Sequence, residues 1–197
     1  MSQLHIDHRK SYVVKDIADW EGRWELIEGI PHLLSSPSRL HQTISRRLLT
    51  GLENYLQEKD CEVFNAPFDV FLSENSDEDY DQHRNAVQPD LFIVCDPLKI
   101  HDRGVKGAPD WIAEIISPST AKLDRLKKFN LYEKFLIPEY WLISPYEQTI
   151  EVFILNDQGR YVRREVYGVE DTISLQQFKD FPLTVSDLFK GFSIKQE

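Results

Sequence analysis

Pro89-Asp90-Leu91-Phe92-Ile93-Val94 and, further on, Trp111-Ile112-Ala113-Glu114-Ile115-Ile116-Ser117 are short apolar runs, each carrying a single acidic residue. Runs of this length, rich in β-branched and aromatic residues, read as buried strands. Side chains alternate along a strand, so Ile112, Glu114 and Ile116 share one face while Trp111, Ala113 and Ile115 share the other. Glu114 therefore sits between two isoleucines. An ionised carboxylate among aliphatic neighbours is costly unless a cation or a basic side chain meets it. The plainer alternative, an edge-strand glutamate facing water, fits poorly with apolar residues on both faces. Asp90 can equally be a turn residue, since Pro-Asp is a common turn pair. Together the two acids offer hard oxygen ligands of the kind Mg²⁺ accepts, with water and phosphate filling the remaining positions.

A basic stretch follows at once: Lys122, Arg125, Lys127, Lys128 and Lys134 stand against only Asp124 and Glu133. Most lysines on an amphipathic helix are solvated surface residues. Helical phase singles out Lys128, because Asp124 lies four residues before it and Tyr132 four after, all on one face. Glu28, beside Gly29 at a predicted bend, is either a third acid or a turn carboxylate. His41 either meets phosphate or is exposed.

Working outward, Val14 to Glu21 reads as a short helix and Trp24 to Leu34 as a strand pair bending at Gly29. Ser36-Pro37 suits a helix start. Leu40, Ile44, Leu48, Leu52 and Leu56 then recur every fourth residue, predicting a helix to about Lys59. Glu62 to Leu72 reads as one strand bent at Pro67, followed by an acidic loop from Glu74 to Arg84. The central strands are Val87 to Cys95 and Trp111 to Ser117, joined by a polar link. Ser119 or Thr120 can cap a helix carrying Leu123, Leu126, Leu131 and Phe135 on its apolar side, and Pro138 ends it. Tyr140 to Ile143 reads as a buried strand, Thr149 to Leu155 with Tyr161 to Tyr167 as a hairpin, and Phe181 to Phe192 as a short packed element. This order favours an α/β or α+β mixed sheet with helices on its faces.

The 197 residues suit one domain, able to bury about 70% of its unfolded surface. We expect it over 15–192, between tails at 1–14 and 193–197. With 33 acidic against 23 basic residues the net charge is −10, which opposes broad adhesion to nucleic acid, so any DNA contact must be local. Cys61 and Cys95 form no Cys-x-x-Cys pair, and neither a zinc site nor a disulfide framework is expected. No apolar run reaches membrane-spanning length and no signal-peptide core is seen, so the expected location is cytoplasmic, without membrane contact.

Several strings together resemble the Uma-two family of restriction-endonuclease-like proteins: Pro89-Asp90-Leu91, Ala108 through Thr120, Asp124-x-x-x-Lys128-x-x-x-Tyr132, and Ile137-Pro138-Glu139-Tyr140-Trp141-Leu142-Ile143. Trp24-Glu25-Leu26-Ile27-Glu28-Gly29 and Ser36-Pro37-x-x-x-His41 fit the same pattern, and the likeness covers about residues 15–192. That family is placed among the PD-(D/E)XK nucleases, so the resemblance implies a restriction-endonuclease-like core with a mixed central sheet flanked by helices. It further implies a Mg²⁺ (or Mn²⁺) dependent endonuclease acting on DNA. Asp90 and Glu114 are then the metal ligands with the Ile115 carbonyl, and Glu28 is an additional acid. The usual lysine two residues beyond the second acid is absent, since Ile116 stands there, and Lys128 is expected to take its place. Substrate contacts are expected from His41, Asp124 and Tyr132. A homodimer is expected, since related nucleases pair to cut both strands, with contacts near Tyr140 or the hairpin. The alternative is a non-catalytic DNA-binding or oligomerisation module that keeps the fold.

Overall fold

Apolar runs broken by Gly, Pro and Asp fold into many short strands and few helices. The chain opens with α1 (Val14–Ile17), the hairpin β1 (Trp24–Ile27) and β2 (Ile30–Leu33), and the long helix α2 (Arg39–Leu56). Seven strands follow: β3 (Glu62–Asn65), β4 (Val70–Phe71), β5 (Ala86–Val87), β6 (Leu91–Val94), β7 (Ile100–His101), β8 (Gly104–Lys106) and β9 (Trp111–Ile115). A π-helical segment (Leu123–Lys128) and α3 (Phe129–Lys134) cross over to β10 (Glu139–Ser144). The hairpin β11 (Thr149–Leu155) and β12 (Tyr161–Tyr167), the small pair β13 (Thr172–Ile173) and β14 (Leu183–Thr184), and α4 (Val185–Phe189) complete the chain. The computed structural model describes residues 6, 7 and 9–192. The expected tail at 193–197 lies outside the described residues, as do 1–5 and 8 of the expected tail at 1–14. Within that first stretch Tyr12 is buried, and its N–H donates to the Gly29 carbonyl at 2.8 Å.

The larger sheet has the order β12-β11-β10-β9-β6-β3, in which β9 and β10 are parallel and the other neighbours antiparallel. A second sheet runs β2-β1-β5-β4-β8-β7. This is the mixed α/β class expected. On α2, Ile44, Leu48, Leu52 and Leu56 form one buried stripe, which packs on Trp111, Ala113 and Ile115 of β9 together with α4. The opposite face of β9, with Ile112, meets Leu131 and Tyr132 of α3 and Val70, Val87 and Val105 of the second sheet. Helix α2 begins slightly later than the Ser36 start would give, because Ser38 is the cap, its hydroxyl accepting the His41 N–H at 3.2 Å.

Two runs that read as single strands are each divided between the sheets. Glu62 to Leu72 breaks at the cis Ala66–Pro67 bond, with β3 in the larger sheet and β4 in the second. Val87 to Cys95 breaks at Gln88–Asp90, leaving β5 and β6 in different sheets. Pro67 and Pro89 offer no N–H to a ladder, so the chain changes sheets at these points. Asp90 thus stands where the two sheets meet. The polar link after Cys95 contains the β7–β8 hairpin.

Other expectations are corrected. Leu126, placed on the apolar face of its helix, is 54% exposed, whereas Lys128 is buried. Tyr140 is wholly buried within the sheet and offers no subunit contact. The outer strand β12 carries Arg163, Arg164 and Glu165 at a bulge opposite Val152 and Phe153. Cys61 and Cys95 are joined in a disulfide, against the expectation of none. The register pairing Glu62 with Val94 sets the two cysteines opposite each other, across a sequence separation of 34 that gives no hint of it. No helix among the described residues is long and apolar enough to cross a membrane.

Closing a loop of that length restricts the unfolded chain, so Cys61→Ser with Cys95→Ser should lower stability by about 2–4 kcal/mol. Urea unfolding of parent and variant checks this, and a reductant should erase the difference.

Candidate active site

Sheet register brings the two acids together. In the antiparallel pair β6–β9, Leu91 faces Ala113, and one residue further Asp90 reaches Glu114, its N–H 3.4 Å from Glu114 Oε2. Asp90 Oδ2 accepts the Ile115 N–H at 2.7 Å and lies 3.0 Å from His41 Nε2. Because β9 and β10 are parallel, the chain must cross over a sheet face between them, and the crossover carries the lysine back to Glu114. Lys128 Nζ donates to Glu114 Oε1 at 2.9 Å and lies 2.8 Å from Glu25 Oε1 and 4.0 Å from Asp124 Oδ1. The Tyr132 hydroxyl donates to the same Glu114 Oε1 at 2.7 Å, and the Gln88 N–H donates to Glu25 Oε1 at 2.7 Å. The helical turn bearing Asp124 and Lys128 is π-helical, with the Phe129 N–H bonding back to the Asp124 carbonyl. Such wide turns are frequent at functional sites.

Glu25, Glu114, Asp124 and Lys128 are each at most 3% exposed, so three buried carboxylates share one ammonium. Burial opposes the Lys128 charge, but Glu114, Glu25 and Asp124 outweigh it and hold the amine well above its ordinary range. The ammonium stays charged. Burial pushes Glu114 well above the usual carboxylate range, and the nearby Asp90, Asp124 and Glu25 add to this against the pull of Lys128. Asp124 is pushed up to about 6, again chiefly by burial. The acids thus outnumber the cation in this cluster. Glu25 Oε2 is buried without a hydrogen-bond partner among the described residues.

Glu114, Asp124 and Lys128 form one side of a cleft of about 250 Å³. Asp90, Glu114, Ile115, Asp124 and Lys128 line it, with His41 and Ser45 from α2 and hydroxyls of Ser38, Ser117 and Thr120 near the mouth. The sequence-expected residues converge there with two exceptions. Tyr132 is fully buried and does not line the cleft; it reaches the site by holding Glu114. Glu28 does not join the cluster. It lies exposed at the hairpin bend with φ 53°, its N–H donating to Asn85 Oδ1 and its carbonyl accepting from Arg84. Glu25, three residues earlier on β1, is the acid that the N-terminal hairpin contributes. A signal for it existed: Glu25 lies inside the strand Trp24–Ile27, whereas Glu28 precedes the turn glycine.

Each of the two strand acids has one oxygen occupied by protein donors. Asp90 Oδ2 meets Ile115 and His41, and Glu114 Oε1 meets Lys128 and Tyr132. Asp90 Oδ1 accepts no hydrogen bond among the described residues, and Glu114 Oε2 has only the long Asp90 contact. No three His, Cys, Asp or Glu side chains among the described residues form a ready cage. Mg²⁺ does not need one, since it binds through one or two carboxylates and keeps its waters.

Carboxylates from adjacent strands beside a lysine, on a mixed sheet flanked by helices, define a nuclease-like class of architecture. The family model Uma2, described as "Putative restriction endonuclease", matches residues 14–186, and the chain belongs to that family. The uncharacterized protein slr1290 of Synechocystis sp. is 26% identical over 184 residues, covering 91% of this chain and 92% of its own. Another Synechocystis protein, the uncharacterized sll1609, is 22% identical over 158 residues, covering 79% and 85%. The crystal structure of a putative nuclease belonging to DUF820 from Anabaena variabilis superposes with a TM-score of 0.70 at 20% identity, covering 90% of this chain and 97% of that one. At that identity the likeness speaks to the fold.

Lys128→Met should cost about 3–5 kcal/mol, because it strands Glu25 and Glu114 without their counter-charge. Lys127→Met, on the exposed side of the same turn, should change stability by no more than about 0.5 kcal/mol. Denaturant unfolding of both variants reads the contrast, and equal effects would show that the buried ion cluster does not hold this region.

Proposed function

We propose that the protein is a divalent-metal-dependent endonuclease that hydrolyses DNA phosphodiester bonds at the cleft. The observation that carries this reading is the pairing of Asp90 and Glu114 on adjacent strands, each with one oxygen tied to protein donors and the other left for a cation. The family description and the nuclease title of the Anabaena neighbour support it. The donor set fits Mg²⁺ or Mn²⁺: two carboxylates, which Asp90 and Glu114 would supply with the Ile115 carbonyl, in a cluster whose acids exceed its one ammonium. When bound, such an ion acidifies a water and offsets charge on the phosphodiester.

The chain's own groups do the remaining work. Lys128 stays protonated, so it serves as a fixed positive charge and an orienter of Glu114, not as a base. Tyr132 restrains the same Glu114 oxygen from behind. Asp124 and Glu25 anchor the ammonium at the cleft floor. Arg23, at the rim, is positioned by the Gln88 side chain and offers a phosphate a bidentate donor. Two copies cutting both strands belong to the same proposal.

A second reading, a non-catalytic module that keeps the fold, draws on Ile116 standing where the motif lysine would be and on the engagement of Lys128 by two carboxylates. The two readings part on one assay. Plasmid and oligonucleotide DNA incubated with Mg²⁺ or Mn²⁺ should be cut by the parent, cutting should stop with a chelator, and Asp90→Asn and Glu114→Gln should each reduce it to background while keeping the fold by circular dichroism. Cleavage by both variants at the parental rate would remove these residues from the chemistry.

A further inference from the structure

His41 is the titratable residue of α2 that lines the cleft. Its Nε2 lies 3.0 Å from Asp90 Oδ2, the oxygen that also accepts the Ile115 N–H. Its Nδ1 is buried and makes no hydrogen bond among the described residues. A proton on Nδ1 would be a buried donor lacking an acceptor, which costs more than a bare lone pair. The hydrogen therefore belongs on Nε2, and His41 donates to Asp90.

The ring is held from two directions. Its backbone N–H is fixed by the Ser38 cap at 3.2 Å, and its helix is fixed by the buried stripe from Ile44 to Leu56 against the sheet. Asp90, by contrast, lies at the junction between the sheets, just outside β6, with its side chain 19% exposed. Without the ring, Oδ2 would keep only the Ile115 N–H, and one hydrogen bond leaves the carboxylate free to rotate about it. With both donors Oδ2 is pinned from strand and helix, and the carboxylate plane is set.

We infer that His41 is a positioning residue: it orients Asp90 so that Oδ1 is presented to a divalent cation, and it does not act on substrate phosphate. This rests on the metal-binding reading proposed above. Ser38 and α2 become parts of the cation site through the ring they hold, which links the capping of one helix to the affinity of a site on another element.

The test is Mn²⁺ titration by calorimetry on the full chain without nucleic acid, with thermal unfolding recorded beside it. His41→Leu keeps the bulk but removes the donor, and its Mn²⁺ affinity should fall by about 10–100-fold. His41→Gln keeps an N–H at similar reach and should restore most of that affinity. Should His41→Leu fail to fold, His41→Asn, whose amide falls short of Asp90, takes its place in the comparison with His41→Gln. A ring that only docks helix to sheet would lower the unfolding temperature and leave Mn²⁺ affinity at the parental value in every folded variant; that result overturns the positioning role while leaving the metal site standing. A parent that does not take up Mn²⁺ sinks the metal reading itself, and this role with it.

Discussion

A single buried ammonium organises this molecule. Lys128 ties together β1 through Glu25, β9 through Glu114 and the π-helical turn through Asp124, and Tyr132 of α3 closes the group from behind. Glu25 and Glu114 belong to different sheets, so the cluster joins both sheets and the crossover at one point. Its demands override local preference. Leu126, expected on the apolar side of its helix, lies on the surface, while Lys128 is inside. The wide π-helical turn accompanies that inversion and sets Asp124 and Lys128 on the buried side together.

The topology explains why such a cluster forms here. Antiparallel pairing of β6 with β9 puts Asp90 beside Glu114, and a parallel β9–β10 pair forces a crossover onto the face that Glu114 occupies. Helix α2 covers the other face, and its first turn reaches the same sheet edge through His41. The cleft is therefore bordered by strand ends, a helix start and a crossover helix. Each of these is fixed by packing remote from the site, notably the Ile44, Leu48, Leu52 and Leu56 stripe, so the polar groups are held by apolar ones.

Much of this was legible in the sequence, because period reports directly on packing. The four-residue spacing of α2, the Asn156–Arg160 hairpin turn and the apolar strands around Glu114 appear where the pattern puts them. The convergence of Asp90, Glu114 and Lys128 followed from burial cost and helical phase. What the pattern could not carry was partnership. Glu62 to Leu72 reads as one strand because both halves are apolar, although they belong to different sheets. Glu25 is hard to tell from Glu28 by pattern, because Leu26 and Ile27 follow it as two consecutive apolar residues. Alternation therefore marks no inward face there, whereas Gly29 beside Glu28 marks a turn. The cysteines paired through register alone.

The ion cluster is poorly explained by stability. Apolar residues of similar volume commonly serve an interior as well as buried charges do, or better, and an unpaired buried carboxylate oxygen such as Glu25 Oε2 is a further cost. Here the charges do not even balance, for burial and mutual repulsion push Glu114 and Asp124 upward despite Lys128. Under the endonuclease reading, a divalent ion at Asp90 and Glu114 would supply the positive charge that the excess of acids leaves wanting. Lys128 keeps Glu114 in place, but one ammonium shared with Glu25 and Asp124 does not offset three acids.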